Sequence, residues 1–71
     1  MYIVIELQGD GTGHVANIVT AYETLAEAQS KYFTILASAA VSSVPVHSAT
    51  ILNETGMSLA NQSFGHAIAS K

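Results

Sequence analysis

The chain has 71 residues and a mass of 7.4 kDa, enough for one small domain spanning 1–71, which on folding buries about 60% of the surface its unfolded form exposes. It is 49% hydrophobic and only 10% charged, carries a net charge of −3 with two lysines and no arginine, and has no cysteine. That balance excludes intrinsic disorder and disulfide or thiolate chemistry, argues against nucleic acid or an anionic membrane as partner, and leaves a domain of this size without its usual staples.

Met1 is followed by Tyr2, Ile3, Val4, Ile5 and Glu6, with no basic segment before the apolar run, so no secretory signal peptide is expected. Residues 2–8 alternate Ile3, Ile5 and Leu7 against Tyr2, Val4, Glu6 and Gln8, which predicts a strand with one fully apolar face. Gly9, Gly11 and Gly13 surround Asp10 and Thr12 and predict a hairpin loop, because glycine alone takes positive φ without steric cost. Residues 14–22 form the returning strand, and their alternation does not single out one face.

Thr24 and Glu27 have the T-x-x-E spacing of a capping box. Behind it, Leu25, Ala28, Tyr32, Ile35 or Leu36, and Ala39 recur at helical spacing and predict a helix over 25–41, with Glu27 and Lys31 four apart in the favourable order. It stops before Pro45, since the residue preceding a proline avoids helical geometry. Residues 45–52 predict a third strand with Pro45 at its first position, Asn53–Gly56 a turn, and 57–64 a fourth strand poor in large apolar side chains. The tail from Gly65, above all 66–71, shows no pattern and is expected to be loose. The fold class is therefore α+β: ββαββ, a four-stranded antiparallel sheet with one helix on one face.

The stretch from Tyr32 to Asn53 has no formal charge and is long enough to span a bilayer. Its serines, Thr50, His47 and the central Pro45 make it a helix end and a strand instead.

Chemistry-bearing patterns are sparse. His14, His47 and His66 have no metal-ligand spacing and are expected to be unrelated. The glycine-rich segment lacks the lysine of a phosphate loop and precedes a strand rather than a helix. Glu6 and Glu23 could pair as carboxylates across the first hairpin, but a solvated strand face is the simpler account. A sheet with one helix offers little room for an enclosed pocket of about 300 Å³ or more. No catalytic, cofactor-binding or metal-ligating residue is assigned, and neither enzymatic activity nor a cofactor is expected.

The charges themselves are unevenly placed. Glu6, Asp10, Glu23, Glu27 and Lys31 precede residue 32, and only Glu54 and Lys71 follow it. One helix leaves the other face of the sheet uncovered, and a wet sheet face normally shows charge. Here that face is expected to draw on Tyr2, Val4, Ser48, Thr50 and Ala60, a charge-free set suited to association. The small residues Ala37 to Val41 at the helix end allow close approach of a partner or of the chain's own sheet.

The segments Met1–Gln8 (MYIVIELQ), Asn17–Tyr22 (NIVTAY), Ala26–Tyr32 (AEAQSKY) and Ala37–His47 (ASAAVSSVPVH) resemble a group of small uncharacterised proteins encoded in phages and prophages of gut bacteria, often near virion structural genes. The resemblance covers the first two thirds of the chain and carries over no functional residue. It implies a virion component, an accessory subunit of capsid, neck or tail located in the virion or host cytoplasm. Together with the charge-poor face, the expectation is a homo-oligomer that associates with itself or other virion proteins. The alternative is a small phage-encoded regulator that binds a host protein through the uncovered sheet face.

Overall fold

The computed structural model describes residues 1–66. It contains strand β1 (Tyr2–Gly9), strand β2 (Val15–Tyr22), helix α1 (Leu25–Ala40), strand β3 (Val46–Asn53) and strand β4 (Ser58–Gly65). The strands form one open sheet in the order β2-β1-β3-β4, every neighbouring pair antiparallel. The ββαββ, α+β architecture expected from the sequence is the one observed.

Both hairpins rest on the same loop chemistry. Asp10 Oδ1 accepts hydrogen bonds from Thr12 N at 2.8 Å, Thr12 Oγ1 at 2.7 Å and His14 N at 3.3 Å. Asn53 Oδ1 accepts from Thr55 N at 3.0 Å, Thr55 Oγ1 at 2.7 Å and Met57 N at 3.0 Å. In each loop the acidic or amide side chain replaces the missing strand partner, and a glycine three residues on, Gly13 at φ 105° or Gly56 at φ 86°, reverses the chain.

Helix α1 begins as its sequence dictates. Glu27 N donates to Thr24 Oγ1 at 3.2 Å and Thr24 N to Glu27 Oε1 at 3.3 Å, so both halves of the capping box are present. That geometry holds the Glu27 carboxylate at the helix start, and among the described residues no ion pair joins it to Lys31, contrary to the spacing. The helix ends at Ala40, with Val41 as its cap.

The core lies between α1 and one face of the sheet: Ala28, Tyr32 and Ile35 pack on Val4, Ala49 and Ile51, bordered by Tyr2, Tyr22, Leu36 and Ala60. Leu25, expected on the buried helix face, is exposed, and Ile35 rather than Leu36 is buried. Pro45 sits just before β3, and Gly65 belongs to β4. His66 is not loose: its N–H donates to Pro45 O at 2.8 Å, and its Nε2 lies 2.8 Å from Ala39 O. The rest of the expected tail, 67–71, lies outside the described residues.

Candidate interaction face

The sheet register assigns every strand residue to a face. Val4 pairs with Thr20 and Ile51, and Ile51 with Ala60, so Tyr2, Val4 and Ala60 lie beneath the helix. They do not line the uncovered face, as alternation led us to expect. That face is built instead from Ile3, Ile5 and Leu7 of β1, Val15, Asn17, Val19 and Ala21 of β2, and Val46, Ser48, Thr50 and Leu52 of β3. Ser48 and Thr50 are where the sequence placed them.

Topology explains the inversion. β2 and β3 both run antiparallel to β1 and hence parallel to each other, with α1 as their crossover. Such crossovers are right-handed in nearly all proteins, which leaves the helix one face to occupy whatever β1 presents there. The small Ala49 and Ala60 on that face leave room for Tyr32 and Ile35, so the fully apolar stripe of β1 is left outside.

Among the described residues, none on the open face carries a charge. Ile3, Ile5, Leu7 and Leu52 are half-buried by their neighbours, and Val15, Val19 and Val46 are exposed. At the polar edge, Asn61 Nδ2 donates to Thr50 Oγ1 at 2.6 Å. Strands of eight residues, four abreast, make a face of roughly 26 by 19 Å, or about 500 Å².

The helix side holds a buried polar contact. Glu6 Oε2 accepts hydrogen bonds from His47 Nε2 at 2.7 Å and from Gln8 Nε2 at 3.0 Å, the His47 and Glu6 side chains being 5% and 13% exposed. Burial pushes the Glu6 carboxyl upward, but hydrogen bonds from His47 and Gln8, together with the charge of Lys31 nearby, outweigh it and hold the group below its ordinary 4.5. Glu6 therefore neither pairs with Glu23 nor sits on a solvated face. Its signal in the sequence was a lone acid within an otherwise apolar strand, whose distant partner His47 no local pattern reveals. His47 Nδ1 is buried and has no hydrogen-bond partner among the described residues.

The three histidines go separate ways: His14 Nδ1 lies 3.0 Å from Asp10 Oδ2 in the exposed first loop, His47 bonds to Glu6, and His66 to Ala39 O. Among the described residues no three His, Asp or Glu side chains gather as metal ligands. Asp10 is held below its ordinary 3.8 by the Thr12 side chain and backbone, with His14 adding to them. A hollow of about 460 Å³, bordered by Gln8, Asp10, His14, Ala16, Val44 and Pro45, exceeds the pocket size expected. It is open to solvent rather than enclosed, and Asp10 and His14 are engaged within their loop. Among the described residues no helix is long and apolar enough to cross a membrane.

No family model matches the chain, and no curated protein or solved structure matches it either.

Proposed function

We propose that the chain is a non-enzymatic structural or interaction subunit that associates with further copies of itself through the open sheet face. The observation that carries this reading is the row Ile3, Ile5 and Leu7, central to a charge-free face that the helix leaves bare. Exposed apolar patches of several hundred Å² mark contact sites, and charge depletion marks their centres. A second copy is a fitting occupant because the net charge of −3 makes copies repel everywhere except across a surface without charge. Two such faces stacked bury about 1,000 Å², the lower bound of a specific interface.

The setting follows from the phage resemblance: an accessory subunit of a virion. A regulator that docks on a host protein would use the same face. Sedimentation velocity on the purified chain tests self-association, which a stable 7.4 kDa species at micromolar concentration would refute. Mass spectrometry of purified particles tests the setting, where a fixed copy number supports a virion subunit and absence of the chain refutes it.

A further inference from the structure

We infer that β2 is a pairing edge, along which two copies align their β2 strands antiparallel across a two-fold axis and fuse two four-stranded sheets into one of eight. The inference rests on the self-association proposed above and specifies the contact that enlarges the open face.

β2 is an outer strand of the sheet, and its stretch Val15–Val19 is exposed on both faces. Val15 and Val19 on the open side are 60% and 59% exposed, and Ile18 on the helix side is 53% exposed. Edge strands are ordinarily blunted by charge, proline, a bulge or short length. β2 has eight residues, VANIVTAY, with no charge and no proline, paired to β1 without a register shift. The opposite edge has such protection: β4 is bulged where Leu59 is skipped, and it carries Asn61, Gln62 and Ser63.

The ladder shows which groups of β2 are free. Asp10 N donates to His14 O at 3.1 Å, closing the hairpin. Antiparallel pairs alternate from there, so Gln8–Ala16, Glu6–Ile18, Val4–Thr20 and Tyr2–Tyr22 exchange hydrogen bonds. The N–H and C=O groups of Val15, Asn17, Val19 and Ala21 then point away from β1. A two-fold centred on Ile18 pairs Val15 with Ala21 and Asn17 with Val19, and keeps both helices on one side of the joined sheet.

A second copy fits this edge on three grounds. No charge lies along β2 to oppose its own image, although the chain as a whole is acidic. The edge is continuous with the open face, so pairing merges two charge-free faces into one of about 1,000 Å². Stacking two of those buries about 2,000 Å², well inside the range of stable assemblies, where the unmerged faces only reach its margin.

Residue-resolved amide exchange on the full chain, combined with Asn17→Pro, tests the inference. In the associated protein the amides of Asn17 and Val19 should be protected alongside those of Ile18 and Thr20. Below the association concentration, Asn17 and Val19 should exchange at least about 100-fold faster while Ile18 and Thr20 stay slow. Asn17→Pro removes an N–H that β1 does not use, so the chain should stay folded by circular dichroism and lose the edge-paired species. Association with protection still alternating along β2, or an Asn17→Pro protein of unchanged native mass, overturns the edge while leaving self-association standing. A chain that is monomeric at all concentrations overturns both. Should Asn17→Pro unfold the chain, the exchange pattern of the unaltered protein decides alone.

Discussion

Two side chains show how much a single residue contributes. Thr24 supplies the oxygen that satisfies the Glu27 N–H at the start of α1. Thr24→Ala should therefore lower stability by about 1 kcal/mol in urea unfolding, the ordinary loss for a helix cap. Glu6 has a carboxyl held below 4.5 in the folded chain. A lowered folded value means that its contribution is complete above the unfolded value and disappears as pH falls through the folded one. Stability should thus hold from neutral pH to about 5 and decline below about 4.5. Glu6→Gln should reduce stability by about 1–3 kcal/mol at pH 7, since it weakens hydrogen bonds to a buried charge. It should also shallow the acid decline without abolishing it, because Asp10 and Glu54 are lowered too. Urea midpoints from pH 3 to 7 for both proteins check this, and parallel curves would show that Glu6 contributes nothing to the decline. Thr24 was legible because its partner is three residues away. His47 was not legible as a partner of Glu6, because the contact spans 41 residues and exists only once β1 and β3 pair.

At the scale of elements, local chemistry explains nearly everything. The helix period placed Ala28, Tyr32 and Ala39 in the core, and the glycines placed the first hairpin. One local signal went unread: Asp10-Gly11-Thr12-Gly13 and Asn53-Glu54-Thr55-Gly56 are both Asx-x-Thr-Gly, and they build the same hydrogen-bonded loop. Different flanking residues concealed the repeat. The loop also gives Asp10 a structural role. Loop surfaces usually tolerate substitution, but Asp10 accepts three hydrogen bonds through Oδ1 and anchors the turn, so Asp10→Lys should perturb the hairpin itself. Gly56 stands at φ 86° with open space around it, so any loss on substitution comes from backbone strain alone. Gly56→Ala should cost about 1–2 kcal/mol and Gly56→Asn less, since asparagine visits that region more readily. Thermal unfolding of the pair checks the order, and equal losses would show that something other than φ is at work.

At the scale of the molecule, the open face determines what the chain does with its neighbours. Thr50 sits on it, paired with Ile5 of β1 and Asn61 of β4. Thr50→Lys would place an ammonium in an apolar contact, which is expensive when the charge is buried without a partner. We expect the variant to remain folded and to sediment at a lower mass. Ser30→Lys, on the exposed side of α1 away from the sheet, should keep the native mass. An assembled Thr50→Lys protein alongside a dissociated Ser30→Lys protein would move the interface to the helix side.

The amino-acid sequence by itself determined the five elements, their order, the helix cap, both turns and the scarcity of charge. Each of these depends on residues within a few positions of one another. Tertiary structure alone decided which face of the sheet the helix covers, that β2 and β4 are the outer strands with the bulge falling in β4, and that Glu6 meets His47. Strand alternation defines two faces but not which one goes inside, and here the handedness of the β2-α1-β3 crossover settled it. It left Ile3, Ile5 and Leu7 on the outside, although their stripe is the most apolar one in β1.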